Sequence, residues 1–220
     1  MMADHQQTYK PKIVGWPSAM RRLQRVALVV LMCYWIALPG TEEVRAHEGP
    51  AQAKSRKPIE KVRRAFSLVR HDGQQVTDMD FHGKNLLIFF GFTDCPDVCP
   101  THLVTISHAA TQLDRIGIKI TPVFITVDPE TDTPELLAPY VQAFHPRMVG
   151  LTGTRQNISN VAAAYGVEFG VQKSSKAYYV WHSSYIYFVG PTGKLLETFP
   201  PYVATNNIVA GVKVLLSKSK

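Results

Sequence analysis

The segment that most restricts what this chain can fold into is Asn85 to Phe92, NLLIFFGF, which runs straight into Thr93-Asp94-Cys95-Pro96-Asp97-Val98-Cys99-Pro100. An unbroken apolar run bounded by turn residues marks a strand buried on both faces, and such a strand needs sheet neighbours and a covering layer on each side. Prolines at 96 and 100 fit only before or within the first turn of a following helix, because deeper in they would cost a backbone hydrogen bond. Two cysteines therefore stand where a buried strand hands over to a helix. Open α/β sheets place their sites beyond the carboxyl ends of the strands. A helix N-terminus carries partial positive charge and free N–H groups, so the thiols there are expected to ionise more readily than usual.

The rest of the chain alternates in the same manner. Ala65 to Val69 alternates apolar and polar positions, and His71-Asp72-Gly73-Gln74 supplies the turn of an N-terminal β-hairpin. Leu103, Ile106, Ala110 and Leu113 recur at helical spacing, and Ile120 to Val127 reads as a second buried strand ending at Asp128-Pro129. Thr133-Pro134 opens a helix, with threonine as cap and proline in the first turn. A short strand over Val149–Thr152 precedes a helix over Asn157–Tyr165, closed by Gly166. Strands over Tyr178–Val180 and Ser184–Val189 flank His182. Pro191 to Lys194 turns into Leu195–Phe199, and Thr205–Leu216 ends the chain as a helix. The order predicts one α/β domain, a mixed central sheet with flanking helices and an N-terminal β-hairpin.

The front of the chain is different. Met20 to Arg25 is basic, and Val26 to Leu38 gives 13 residues without a charge. A spanning helix needs about 20, so the run suits a signal peptide with Val44-Arg45-Ala46 as cleavage site, or an N-terminal membrane anchor. The predicted organisation is a leader over 1–46, a polar linker over 47–61 and a folded domain over 62–220. Either form of leader places that domain outside the cytoplasm, as in a bacterial periplasm, secreted or tethered to the inner membrane. Of a net charge of +7, residues 1–46 supply +3 (six basic, three acidic), leaving +4 for the remainder. No basic tract interleaved with aromatics occurs, so nucleic acid is not an expected partner.

Cysteine usage narrows the chemistry. Cys33 lies inside the leader, and the domain keeps only Cys95 and Cys99. In an oxidising compartment such a pair is a structural disulfide, a redox couple or a metal clamp. The disulfide would close a very small loop and gain little chain entropy. Two thiolates favour a soft ion, copper(I) above all, whereas zinc would want four ligands. Among eight histidines, His182 is the best third ligand, because it is expected in a short loop just before a buried strand. His102, close to Cys99 in sequence, is its strongest rival, and Asp128 is a candidate to support the site from behind.

Gly91 to Pro100, then Val123-Phe124-Ile125-Thr126-Val127-Asp128-Pro129 with Asp132-Thr133-Pro134, then His182-Ser183, resembles the SCO/SenC family of cytochrome c oxidase assembly proteins. The resemblance covers the domain from about Val62 to Leu216. It implies a thioredoxin-like fold and copper, as Cu(I) with Cu(II) as a second state, bound by Cys95, Cys99 and His182. It implies a copper chaperone that helps install the dinuclear copper centre of oxidase subunit II, supplied by a copper donor protein. The alternative it leaves open is a thiol-disulfide reductase using Cys95 and Cys99 as a catalytic redox pair on cysteines of the oxidase subunit or other extracytoplasmic partners. A peroxidase on the same fold has no use for the second cysteine and the distal histidine. Two positions depart from the family pattern: Trp181 stands where aspartate usually precedes the histidine, and Asp94 where histidine is frequent.

Overall fold

The computed structural model describes residues 65–96, 98–173 and 178–218; the expected leader and linker lie outside the described residues, as does Asp97. Among the described residues, nine strands and four α-helices follow one another, besides a single 3-10 turn over Asp78–Phe81: β1 Ser67–Arg70, β2 Gln75–Thr77, β3 Asn85–Gly91, α1 Val98–Asp114, β4 Ile120–Thr126, α2 Pro134–Phe144, β5 Val149–Thr152, α3 Arg155–Tyr165, β6 Phe169–Lys173, β7 Tyr178–His182, β8 Ile186–Val189, β9 Leu195–Phe199 and α4 Thr205–Ser217. Seven strands form one sheet in the order β2-β1-β5-β4-β3-β8-β9, and β6 and β7 form a separate two-stranded sheet.

The sheet is mixed, as expected. Strands β3, β4 and β5 run parallel, while β1, β8 and β9 add antiparallel edges. Strand β3 lies between β4 and β8, with Phe89 opposite both Phe124 and Ile186. Its side chains divide by the period of two: Leu86, Ile88 and Phe90 face one core, Leu87 and Phe89 the other. The first core is closed by α3 through Ile158, Val161 and Tyr165. The second is closed by α1, α2 and α4 through Leu103, Ile106, Leu137, Val141, Ile208 and Val212. Helices thus cover both faces, and Cys99 belongs to the second core at 0% exposure.

Local signals place most boundaries. The β1–β2 turn closes with Arg70 N–H donating to the Gln74 carbonyl at 2.8 Å. Helix α3 begins two residues earlier than its apolar spacing suggests, because the Thr154 hydroxyl accepts from Asn157 N–H at 3.1 Å and caps it. Gly166 closes it in the left-handed region at φ 67°. Thr133 occupies the cap of α2 without a side-chain cap hydrogen bond.

Two expectations need correction. Strand β6 was not anticipated, although Phe169 and Val171 alternate with Gly170 and Gln172, and both pack against the first core. Consequently His182 is not in a loop. It is the last residue of β7, paired with Phe169 across the β6–β7 ladder, and the short connection to β8 begins at Ser183. Cys99 likewise lies inside the first turn of α1 rather than ahead of it.

Candidate metal centre

The cysteine turn is shaped by a glycine. A Cβ on Gly91 would stand 2.7 Å from Cys99 Sγ and 2.9 Å from Phe124 Cε2, closer than a methyl group can approach. Only a hydrogen at this position lets β3 pass beneath the thiol. Beyond Gly91 the turn is fastened by a buried carboxyl. Asp132, 1% exposed, accepts from the Thr93 N–H at 3.1 Å, the Thr93 hydroxyl at 2.5 Å and the Thr126 hydroxyl at 2.6 Å. Burial pushes its carboxyl above the usual range, against the pull of those three donors. The turn between β4 and α2 thereby holds the turn between β3 and α1.

Both cysteines are free thiols; Cys95 is half-buried and Cys99 fully so. The Cys99 N–H points to Cys95 Sγ at 3.4 Å, a helix-terminal donor aimed at a sulfur. Burial pushes the Cys99 thiol far above its ordinary value, and the Phe92 backbone opposes this only in part. The expected acidification by the helix N-terminus is overridden at Cys99, because desolvation outweighs it in this core.

His182 reaches this turn from the hairpin. Its Nε2 lies 3.4 Å from Cys99 Sγ, across 83 residues of sequence. Its Nδ1 faces the Ser183 carbonyl at 3.3 Å, which assigns the proton to Nδ1 and leaves the Nε2 lone pair toward the thiol. Phe89 and Phe92 present their rings edge-on to the imidazole at 5.7 and 6.0 Å. Burial lowers the His182 pKa below its ordinary 6.5, which favours the neutral form of the ring. Two soft sulfurs and a neutral imidazole nitrogen are a donor set suited to a soft ion. Among the described residues, no group of three or more His, Cys, Asp or Glu side chains is already assembled around one ion position.

The rival His102 is otherwise engaged. It is 2% exposed and stacks on Phe89 at 4.9 Å. Its Nδ1 meets the Val98 carbonyl at 2.7 Å and its Nε2 accepts the Tyr202 N–H at 3.3 Å, so both ring nitrogens are spent on backbone. Trp181 points away from the site, since alternation puts it on the opposite face of β7 from His182. Its indole covers Gly170 across the ladder, where a Cβ would meet Nε1 at 2.5 Å. Asp94 is exposed in the turn. Asp128, 1% exposed, accepts the Tyr178 hydroxyl, so it faces the strand that carries His182. Three residues that matter here were given no role in the reading of the sequence, Gly91, Asp132 and Tyr178, although Gly91 and Asp132 fall inside the motifs that carry the family resemblance.

The SCO1/SenC family profile matches residues 54–217. The human protein named "Protein SCO1 homolog, mitochondrial" is 42% identical over 151 residues, 67% of this chain and 50% of that protein. The crystal structure of Arabidopsis thaliana ScoI with copper bound superposes with a TM-score of 0.67 at 35% identity, covering 70% of this chain and 97% of that one. The structure of BsSco, described as having a disulfide switch and as a member of the Sco family of cytochrome c oxidase assembly proteins, superposes with a TM-score of 0.59 at 25% identity, covering 73% and 96%. The chain spans about half the length of the curated relatives it matches. Among the described residues, no helix is long and apolar enough to cross a membrane.

Proposed function

The chain belongs to the SCO1/SenC family, and from that premise we propose that it is a copper carrier serving cytochrome c oxidase assembly. Copper(I) is held by Cys95 Sγ, Cys99 Sγ and His182 Nε2, and is handed to the dinuclear copper centre of oxidase subunit II or a similar acceptor. A separate copper donor protein loads the site. The observation that carries this reading is the 3.4 Å approach of His182 Nε2 to Cys99 Sγ, with the imidazole proton turned away toward Ser183. Three ligands suit copper(I) and leave one side open, so an acceptor's ligands can enter before the carrier's leave. Residues 1–46 place the domain outside the cytoplasm, by a cleaved signal or a retained anchor.

A second reading is favoured by the unequal exposure of the two thiols. In thiol-disulfide exchange, Cys95 would attack a partner disulfide, forming a mixed disulfide and releasing one partner thiol. Cys99 would then attack Cys95, leaving the partner fully reduced and this domain oxidised. The two readings part at His182, which exchange does not need.

The test is a transfer experiment with the copper-free soluble domain of subunit II as acceptor. Copper(I)-loaded chain should pass its ion to acceptor whose cysteines are reduced, and His182→Ala should fail to carry it. If the metal-free chain instead reduces oxidised acceptor and neither wild type nor variant moves copper, the reductase reading replaces the carrier.

A further inference from the structure

The turn between β4 and α2 touches both halves of the metal centre. At one end Asp132 holds the cysteine turn through Thr93. At the other end Asp128 receives the hydroxyl of Tyr178, the first residue of β7. Tyr178 and His182 are four residues apart on one strand, so they share a face, and Val180 between them is buried in the first core at 8% exposure. The two ends of β7 are thus fixed by different means, Tyr178 to Asp128 and His182 to the cysteine turn.

Among the described residues the carboxyl at 128 has one side-chain hydrogen bond, from Tyr178, and the Arg155 guanidinium acts on it only through space. Its Oδ1 is buried without a hydrogen-bond partner, and Tyr178 donates to Oδ2. The Thr131 hydroxyl, 3.4 Å from the phenol oxygen, is the neighbouring polar group from the same turn. A carboxyl at 1% exposure with one oxygen unpartnered is costly to strip of its remaining side-chain donor. The hairpin in turn needs an external hold, because a two-stranded ribbon is marginal on its own.

We propose that the Tyr178–Asp128 hydrogen bond is a latch that keeps the His182-bearing strand against the cysteine turn, making Tyr178 a positioning residue that sets how long copper stays. This rests on the copper-carrier reading. With the latch closed, His182 Nε2 stays beside Cys99 Sγ. When it opens, β7 can lift at its Tyr178 end, the imidazole leaves first, and the ion remains on two sulfurs within reach of an acceptor.

The test uses the full chain, reduced, as wild type, Tyr178→Phe, Asp128→Ala, the double variant and His182→Ala. Loss of copper(I) to excess bicinchoninate is timed, and amide exchange is followed in the metal-free proteins. Each single latch variant should lose copper about tenfold faster, as expected for the loss of one part-buried side-chain hydrogen bond. The double variant should be no faster than either single one, since both remove the same bond. Amides of β6 and β7 should exchange faster in Tyr178→Phe, while those of β3 and α1 keep wild-type protection. Copper loss from Tyr178→Phe at the wild-type rate would overturn the latch, and so would additive effects in the double variant. If wild type and His182→Ala release copper equally, the ligand set is wrong and the hairpin exchange alone decides the latch. Should Asp128→Ala not fold, Tyr178→Phe carries the test, because its ring is partly exposed.

Discussion

The two halves of the metal centre are built in opposite ways. The cysteine half is part of the core: Cys99 is buried on the core face of the first turn of α1, Gly91 passes under its sulfur with no room for a methyl group, and Asp132 ties the turn to β4 by three donors. The histidine half is an outlying hairpin that, among the described residues, shares no ladder with the main sheet and is pinned by Val180, Phe169 and Val171 against the first core, the Ser183–Glu168 bonds and the Tyr178 hydroxyl. A carrier must bind tightly and still let go. The difference assigns the holding to the rigid half and the letting go to the hairpin.

The sharpest way to break that contrast is at Gly91. Gly91→Ala drives a methyl group into Cys99 Sγ and Phe124, an overpacking that costs about 2 kcal/mol of stability and displaces the thiol. Denaturant titration should show the loss, and copper(I) affinity should drop by tenfold or more. Gly170→Ala, on the hairpin, meets the rim of the exposed Trp181 indole, which can swing aside, so its effect on copper should be far smaller. Equal effects would dissolve the distinction between a rigid and a yielding half.

The halves should also separate by pH, with a smaller effect. The His182 pKa is lowered from an ordinary 6.5 by burial, so the folded state binds its proton less readily than the unfolded chain. Its share of stability is present above that value and is lost as pH falls through it. The Cys99 thiol is raised from an ordinary 9.0, so the folded state keeps its proton longer, and that share is present below 9.0 and lost as pH rises beyond it. Thermal melts of the reduced, metal-free chain should therefore be highest between these limits. His182→Ala should flatten the acid side and Cys99→Ser the alkaline side. Copper must expel the thiol protons, so its affinity should climb with pH across the neutral range.

How far the sequence could be read follows the same division. Strands β3 and β4 were legible because both faces are buried, which leaves an uninterrupted apolar run, and the helices were legible by spacing and caps. The cysteine turn was legible because prolines at 96 and 100 confine the helix start. The hairpin was not, because Phe169 and Val171 offer only a short alternation and the main sheet lends it no long strand to pair with. His182 could be singled out from its place before β8 and from the family motif, yet its position at the end of a strand depended on that unseen partner. Asp132, Tyr178 and Gly91 act through contacts 39, 50 and 8 residues away. Local pattern carries no sign of such pairings. The acidity of the Cys99 thiol was misjudged for a related reason: a helix terminus is visible in sequence, whereas the depth of Cys99 in the core is a property of the folded layers.

The most direct test of the central claim is X-ray absorption at the copper edge on the reduced chain loaded with one equivalent of copper(I). Two sulfur neighbours and one imidazole nitrogen are predicted for wild type, with the nitrogen lost and both sulfurs kept in His182→Ala. An unchanged spectrum in His182→Ala, or fewer than two sulfurs in wild type, would contradict the ligand set of Cys95, Cys99 and His182.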